Sequence, residues 1–516
     1  MNESVSEKRI LSYVCIWALI FVAYGIYVPF HYSSDGWYEY YSYGLIDGAE
    51  SGLFAVWPKA VAVGFSGGRY IKGIVLFLAG LLGKTQWLMS PVVSAMGVCV
   101  LAVAGCTAWS GITEHRKEGA ILPFLCLCVA FCQPFFTDWF QFSECQLVYP
   151  LGVFCAIFSA KTAFSTKKGS AIKKWCFACL WLLIAAGIYQ ITMQWFVLMS
   201  MVIVVINITD GKEENANQLA RHLVFQILFA LSIYAVAAAV QLLFTHVLFN
   251  SARAASSQTL QGRMWALLQA QKNLWKMVPY SGNKGSLLFP VVCILSFWAS
   301  TVSVMKAHRS RGVKATQIAA ICICTLGFYA SIFLPIFFTE SWYPQRSVVG
   351  FWGIPLLLSL ASKEERKRNG NLSIVRMVSV LASGVMIVIN LYSCLLFGSD
   401  LYRVNAMDTM RAQLIEEQIE THEAESGQQI RYLAFHYDSA PLYCYNGIVN
   451  SHENNLSAWS ASWNPLAIMN LSSGRGYAQR EYSDELYREQ YADQNWDLFS
   501  PEQVFFHEET AYIAIY

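Results

Sequence analysis

Two carboxylates and an arginine–lysine pair near the N-terminus are the residue types that acid–base and phosphate chemistry need. The stretch His31-Tyr32-Ser33-Ser34-Asp35-Gly36-Trp37-Tyr38-Glu39-Tyr40-Tyr41 sets Asp35 and Glu39 four residues apart, on one face if the stretch is helical. A carboxylate there can take the proton of an attacking hydroxyl, while Trp37 and Tyr38 offer aromatic faces to a sugar ring. An interfacial anchor is the other reading, because Tyr and Trp concentrate at headgroup depth. Further on, Gly67-Gly68-Arg69-Tyr70-Ile71-Lys72 supplies a fork-shaped guanidinium and, about one helical turn later, a point charge. Together they suit phosphate oxygens, and the glycines let a headgroup approach the backbone. Two cations snorkelling from an interfacial helix would leave the same pattern.

Three more places carry isolated polar groups among aromatics. Asp138 and Glu144 lie in Thr137-Asp138-Trp139-Phe140-Gln141-Phe142-Ser143-Glu144, and Glu340 and Arg346 in Glu340-Ser341-Trp342-Tyr343-Pro344-Gln345-Arg346. Tyr189-Gln190 closes an apolar run. Taken singly, each reads as a solvated loop residue.

Only a membrane can hold the elements that position these groups. The chain has 516 residues, 55% hydrophobic and 14% charged, against about 25% charged for a soluble domain. Runs of the roughly 20 apolar residues that cross a bilayer predict about 11 spans, over 10–30, 88–110, 120–136, 146–164, 175–190, 194–209, 223–249, 287–305, 317–338, 347–362 and 373–397. The first is longer than a signal core and reads as an uncleaved span. Lys and Arg crowd alternate short loops, as in Lys167, Lys168, Lys173 and Lys174 or Lys363, Arg366, Lys367 and Arg368. The positive-inside rule then puts the N-terminus in the cytoplasm and the C-terminus outside the cytoplasmic membrane. Segment 250–286, with Arg253, Arg263, Lys272, Lys276 and Lys284, runs against that bias. The apolar stretch 71–82 is short and is expected at the outer interface or dipping into it.

Residues 1–398 thus read as an α-helical polytopic domain whose first outer loop, 31–87, carries the candidate chemistry. Residues 399–516 read as a small extracytoplasmic α/β unit with 18 acidic against 6 basic residues. Helical spacing covers 405–423, alternation marks a strand at 430–437, and 503–506 with 511–516 reads as a hairpin. No nucleotide-binding glycine loop is present, and nucleic acid is not an expected partner. Most of the 15 cysteines lie in apolar runs, including the Cys176-x-x-Cys179 pair, and read as small packing residues. No His/Cys/carboxylate cluster predicts a metal or other cofactor.

Carboxylates, cations and aromatics converging on one membrane face are what a polyprenyl-phosphate sugar and a carbohydrate acceptor require. A lipid-linked sugar transporter or flippase, or a glycan polymerase, could use the same groups. An N-terminal span, an outer-loop Asp, Gly68-Arg69 entering an apolar helix, an aromatic loop before a span and Tyr189-Gln190 closing another resemble, over about residues 10–200, the serotype-converting O-antigen glucosyltransferases of bacteria. That resemblance implies a GT-C-like membrane enzyme moving a glucosyl or similar unit from undecaprenyl phosphate to a cell-surface glycan, with inversion. It makes Asp35 the general base, with Glu39 a candidate second carboxylate, and Arg69 with Lys72 or Arg346 the holders of the leaving phosphate. Trp37, Tyr38, Glu144, Tyr189, Gln190 and Glu340 would line the substrate. Some GT-C enzymes use a divalent metal. The chain departs from the family pattern in having Ser34-Asp35 where two adjacent acids are common, and in lacking an Arg shortly after them.

Overall fold

A computed structural model describes residues 3–48, 69–116, 121–166, 169–210, 215–243, 259–277, 288–307, 311–333, 345–361, 374–437, 444–448, 455–482, 484–491 and 500–515. Helices follow the apolar runs, because a backbone in hydrocarbon must satisfy its own N–H and C=O groups. In chain order they are α1 (Glu3–Tyr24), α2 (Gly36–Gly48), α3 (Tyr70–Leu81), α4 (Pro91–His115), α5 (Ile121–Phe131), α6 (Val148–Ala163), α7 (Ala171–Ile188) and α8 (Met193–Asp210). Then come α9 (Ala216–Leu242), α10 (Leu260–Met277), α11 (Leu288–Ala307), α12 (Arg311–Ile332), α13 (Ile374–Ser426), α14 (Pro465–Ser473) and α15 (Asp484–Tyr491). Starts are chemically marked where the chain leaves a loop. Ser90 accepts from the Val93 N–H ahead of Pro91, and Asn215 accepts from that of Asn217.

Among the described residues, ten helical segments are long and apolar enough to cross a membrane. The expected span over 347–362 is not one of them. A 3-10 turn, Val349–Gly353, runs into a short helix, Ile354–Ser359, and the segment is almost wholly buried against α5, α11 and α12. At its start Arg346 meets Asp138, and just past its end the Leu360 carbonyl accepts from Arg116 at the far end of α4. The segment therefore passes through the bundle sheltered by protein, and a lipid-length apolar run is not needed there.

Helix α8 is the bundle centre, packed on α6, α9 and α12, while α6 lies between α4 and α7. Two glycines allow approaches that matter for the site. A Cβ at Gly97 of α4 would overlap the Gln146 backbone, and one at Gly187 of α7 would overlap the Tyr70 ring. The Tyr70 hydroxyl in turn donates to the Leu183 carbonyl. Helix α3 has 12 residues, about 18 Å at 1.5 Å each, which is short for a bilayer of about 30 Å.

Helix α13 has 53 residues, about 80 Å of helix, so its first two dozen residues suffice to cross and the rest projects beyond. It runs unbroken through residue 398. Four strands, β1 (Tyr432–Tyr437), β2 (Ala478–Arg480), β3 (Val504–His507) and β4 (Thr510–Ile515), form a sheet of order β2-β1-β4-β3. Strand β1 is parallel to both neighbours, and β3–β4 is an antiparallel hairpin with Val504 opposite Ile513. Ala412, Ile415 and Ile419 of α13 share a core with Leu433, Phe435, Trp459, Ile468 and Ile513. Trp37 of α2 enters that same core, whereas Tyr43, two turns on, packs with Leu76 and Met89 of the bundle. Helix α2 is a wedge between two bodies.

Candidate active site

The bundle end beneath this unit is built from chain that does not simply cross. After α5 the backbone folds through short turns, Pro134–Phe136, Thr137–Phe140 and Ser143–Cys145, before α6 begins. Tyr24 fixes its entry by donating to the Phe131 and Gln133 carbonyls. His31 fixes its exit. The Gln146 amide nitrogen lies 3.1 Å from His31 Nε2, Nδ1 lies 2.9 Å from the Pro29 carbonyl, and the Ser143 hydroxyl donates to the His31 carbonyl at 2.6 Å. Nε2 also lies 3.0 Å from the Phe140 carbonyl, and burial lowers the His31 pKa from its ordinary value in spite of these carbonyl contacts. Tyr402 of α13 holds the same corner by donating to the Ile26 and Pro29 carbonyls.

On this frame the structure brings several predicted residues together. Lys72 is buried, with Nζ 3.9 Å from Glu144 Oε1 and 3.5 Å from Cys145 Sγ. Burial works against its ammonium, but Cys145 and the carboxylates of Glu39 and Glu144 outweigh it and raise the pKa above the ordinary value. Glu39 accepts from the Tyr43 hydroxyl at 2.6 Å. Burial first, then Glu39 and Glu144, push the Tyr43 pKa well above normal, so the phenol stays a donor. Arg69 lies 4.9 Å above the Tyr189 ring, which stacks on Tyr149 at 4.6 Å between centroids. Two buried atoms here have no hydrogen-bond partner among the described residues, Arg69 Nε and Glu144 Oε2. Orphans of opposite sign in one buried place are costly, and a ligand carrying both an anion and hydroxyls would satisfy them.

Asp138 and Arg346 form a second pair. Arg346 donates to the Asp138 carboxylate from Nη1 and from its backbone nitrogen, both at 3.0 Å, and Gln141 adds a bond at 2.6 Å. Asp138 is 1% exposed, so the expectation of a solvated loop acid is corrected here, as it is for Glu144. Arg346, expected to hold a lipid phosphate, has at least part of its fork committed to Asp138 and lies 4.9 Å over Phe142.

The other expected residues lie outside this buried cluster, Asp35 one turn before Glu39, whose N–H donates to the Asp35 carbonyl at 3.1 Å. Asp35 precedes the first turn of α2, and its Oδ1 accepts from the Trp463 indole N–H at 3.1 Å. Trp37 is 3% exposed and stacked on Tyr32 at 3.7 Å; it is core, with no face open to a substrate. Tyr38 is exposed, and its backbone N–H donates to Asn464. Gln190 opens the turn Gln190–Thr192 ahead of α8. Gly67, Gly68 and Glu340 lie outside the described residues. Residue patterns missed Tyr149, Cys145 and Trp463 as members of the site, and read Asp138 singly as a solvated loop acid. For Asp138 a signal existed, since an acid in Asp-Trp-Phe-Gln-Phe beside an apolar run must either be solvated or find a partner.

The family model for glucosyl transferase GtrII matches residues 64–362, more than half the chain. The match contains Arg69, Lys72, Asp138, Glu144, Tyr189, Gln190 and Arg346, and it extends well beyond the 10–200 over which the short motifs resemble such enzymes. Asp35, Glu39 and the C-terminal unit lie outside it. No curated protein and no solved structure matches the chain.

Proposed function

The chain belongs to the glucosyl transferase GtrII family, and from that premise we propose that it moves a glucosyl unit from undecaprenyl phosphate to a cell-surface glycan such as O-antigen. The reaction takes place on the outer face of the cytoplasmic membrane, in a GT-C-like bundle with its N-terminus in the cytoplasm and its C-terminal unit outside. Family membership favours transfer over the transport or flipping that the same charges would allow. The observation that carries the reading is the meeting of buried Lys72 and Glu144 with half-buried Arg69 and Glu39, where Arg69 Nε and Glu144 Oε2 have no hydrogen-bond partner among the described residues. In a site of low dielectric, fixed cations stabilise a departing phosphate far more than they would in water.

The step is an inverting displacement. An acceptor hydroxyl oxygen bonds to the anomeric carbon, the bond from that carbon to the phosphate oxygen breaks, and undecaprenyl phosphate leaves with the electron pair. Asp35 takes the hydroxyl proton. Arg69 and Lys72 hold the phosphate, while Arg346 acts mainly through Asp138 to shape the aromatic loop. Glu144 and Glu39 keep Lys72 charged and in place, and Tyr189 positions Arg69.

Asp35→Asn keeps the shape and removes the base. Transfer should fall about 10²- to 10⁴-fold with membrane abundance unchanged. Near-normal glycan modification by that variant would remove Asp35 from the role.

A further inference from the structure

The proposed base is fastened to the C-terminal unit. Asn405 clamps Tyr32 from both sides, accepting from its backbone N–H at 2.7 Å and donating to its carbonyl at 2.8 Å. Asn464 bonds the Ser34 carbonyl and accepts from the Tyr38 N–H. Asn470 donates to the Tyr41 hydroxyl at 3.1 Å, and Trp37 is buried in the unit's own core. Among these contacts Trp463 differs in kind, because only its N–H is engaged. The side chain is 51% exposed, and among the described residues after Ser426 it is the only large hydrophobic side chain that is exposed. The unit buries Trp459, Phe435 and Tyr477, so leaving an indole in solvent forfeits burial that its neighbours gain. Tyr38, 44% exposed, has its backbone pinned to the residue beside Trp463.

We propose that the exposed Trp463 ring, flanked by Tyr38, is the acceptor subsite, on which a sugar ring of a neutral polysaccharide stacks with a hydroxyl presented to Asp35. This rests on the reading of Asp35 as the base. A ring in van der Waals contact with the indole lies about 4 Å above it, and Asp35 Oδ1 is 3.1 Å from the indole nitrogen. Hydroxyls at the edge of that ring are therefore within hydrogen-bond reach of the carboxylate. The choice of a neutral glycan follows from charge. With 18 acidic and 6 basic residues, the unit repels polyanions and leaves uncharged chains unaffected.

The test uses full-length protein in nanodiscs and the host's own surface polysaccharide released by mild acid, with alginate as an acidic control. Binding of the released polysaccharide should weaken about tenfold in Trp463→Ala, while Trp463→Phe, which keeps a stacking face, should retain most of it. Alginate should bind far more weakly than the neutral chain. In turnover, Trp463→Ala should raise the acceptor KM about tenfold over Trp463→Phe with the donor KM little changed, while any kcat loss from the missing N–H bond to Asp35 is shared by both variants. Unchanged binding in Trp463→Ala would make the ring a headgroup anchor and overturn the proposal. So would an equal kcat loss in the Ala and Phe variants at unchanged acceptor KM, which would make Trp463 a positioning residue for Asp35. Tight alginate binding would also overturn it. Failure of the underlying reading has a different signature: Asp35→Asn would then still transfer, whatever its affinity for polysaccharide.

Discussion

Lys72 has a structural role in its buried pair with Glu144 beside the phosphate-holding role proposed for it. It is buried beside Glu144, whose second oxygen has no hydrogen-bond partner among the described residues, so removing the ammonium strands an acid in a dry site. Lys72→Met should cost about 3–5 kcal/mol of stability, the usual penalty for halving a buried pair, and should abolish transfer. Adding Glu144→Gln removes the stranded charge. The double variant should regain most of the lost thermal stability in detergent without regaining activity, because the phosphate still lacks its cation. Recovery of activity along with stability would make the pair purely structural. Arg69 and Lys72 were legible from their types and spacing as a pair that could hold a phosphate or snorkel from an interfacial helix. Their partners were not: Lys72 meets Glu144 and Cys145 more than 70 residues away, Arg346 meets Asp138 208 residues away, and Asp35 meets Trp463 428 residues away. Spacing along one helix says nothing about such meetings.

Elements explain why those residues meet. The turns between α5 and α6 fold back because Tyr24, His31 and Gln146 hold them, and Gly97 leaves room for the Gln146 backbone. His31 makes this joint sensitive to acid. Its folded pKa is lowered, so the unfolded chain takes the proton first. Its contribution to stability is therefore present above about pH 6.5 and is lost as pH falls below that value. Replacing His31 with Gln should flatten the fall in melting temperature between about pH 7 and pH 5. An unchanged slope would show that the ring does not titrate against folding. Helix periods and apolar runs gave most of the bundle, because lipid imposes length and composition directly. The segment over 347–362 departs from that rule since protein, not lipid, surrounds it. Trp37 departs for a related reason: its neighbours in sequence fit an exposed interfacial loop, but the C-terminal unit covers it.

At the scale of the molecule, α2 joins the bundle, where we place the donor site, to the C-terminal unit, where we place the acceptor site. One face of α2 packs on the bundle through Tyr43, and the other packs into the C-terminal core through Trp37. The proposed base lies at the start of this joint, and the distal part of α13 runs on into the C-terminal core. The opposite charges of the parts, with the acidic residues concentrated after residue 398, were visible in composition; the joint between them was not. The central claim is that glucose passes from a polyprenyl phosphate to a glycan in one enzyme. Its most direct test supplies purified protein in proteoliposomes with radiolabelled undecaprenyl-phosphate glucose or radiolabelled UDP-glucose, together with surface polysaccharide. Label should appear on the polysaccharide from the lipid-linked donor alone and be lost in Asp35→Asn. Labelling from UDP-glucose, or movement of the lipid-linked sugar across the bilayer with no label on polysaccharide, would contradict it.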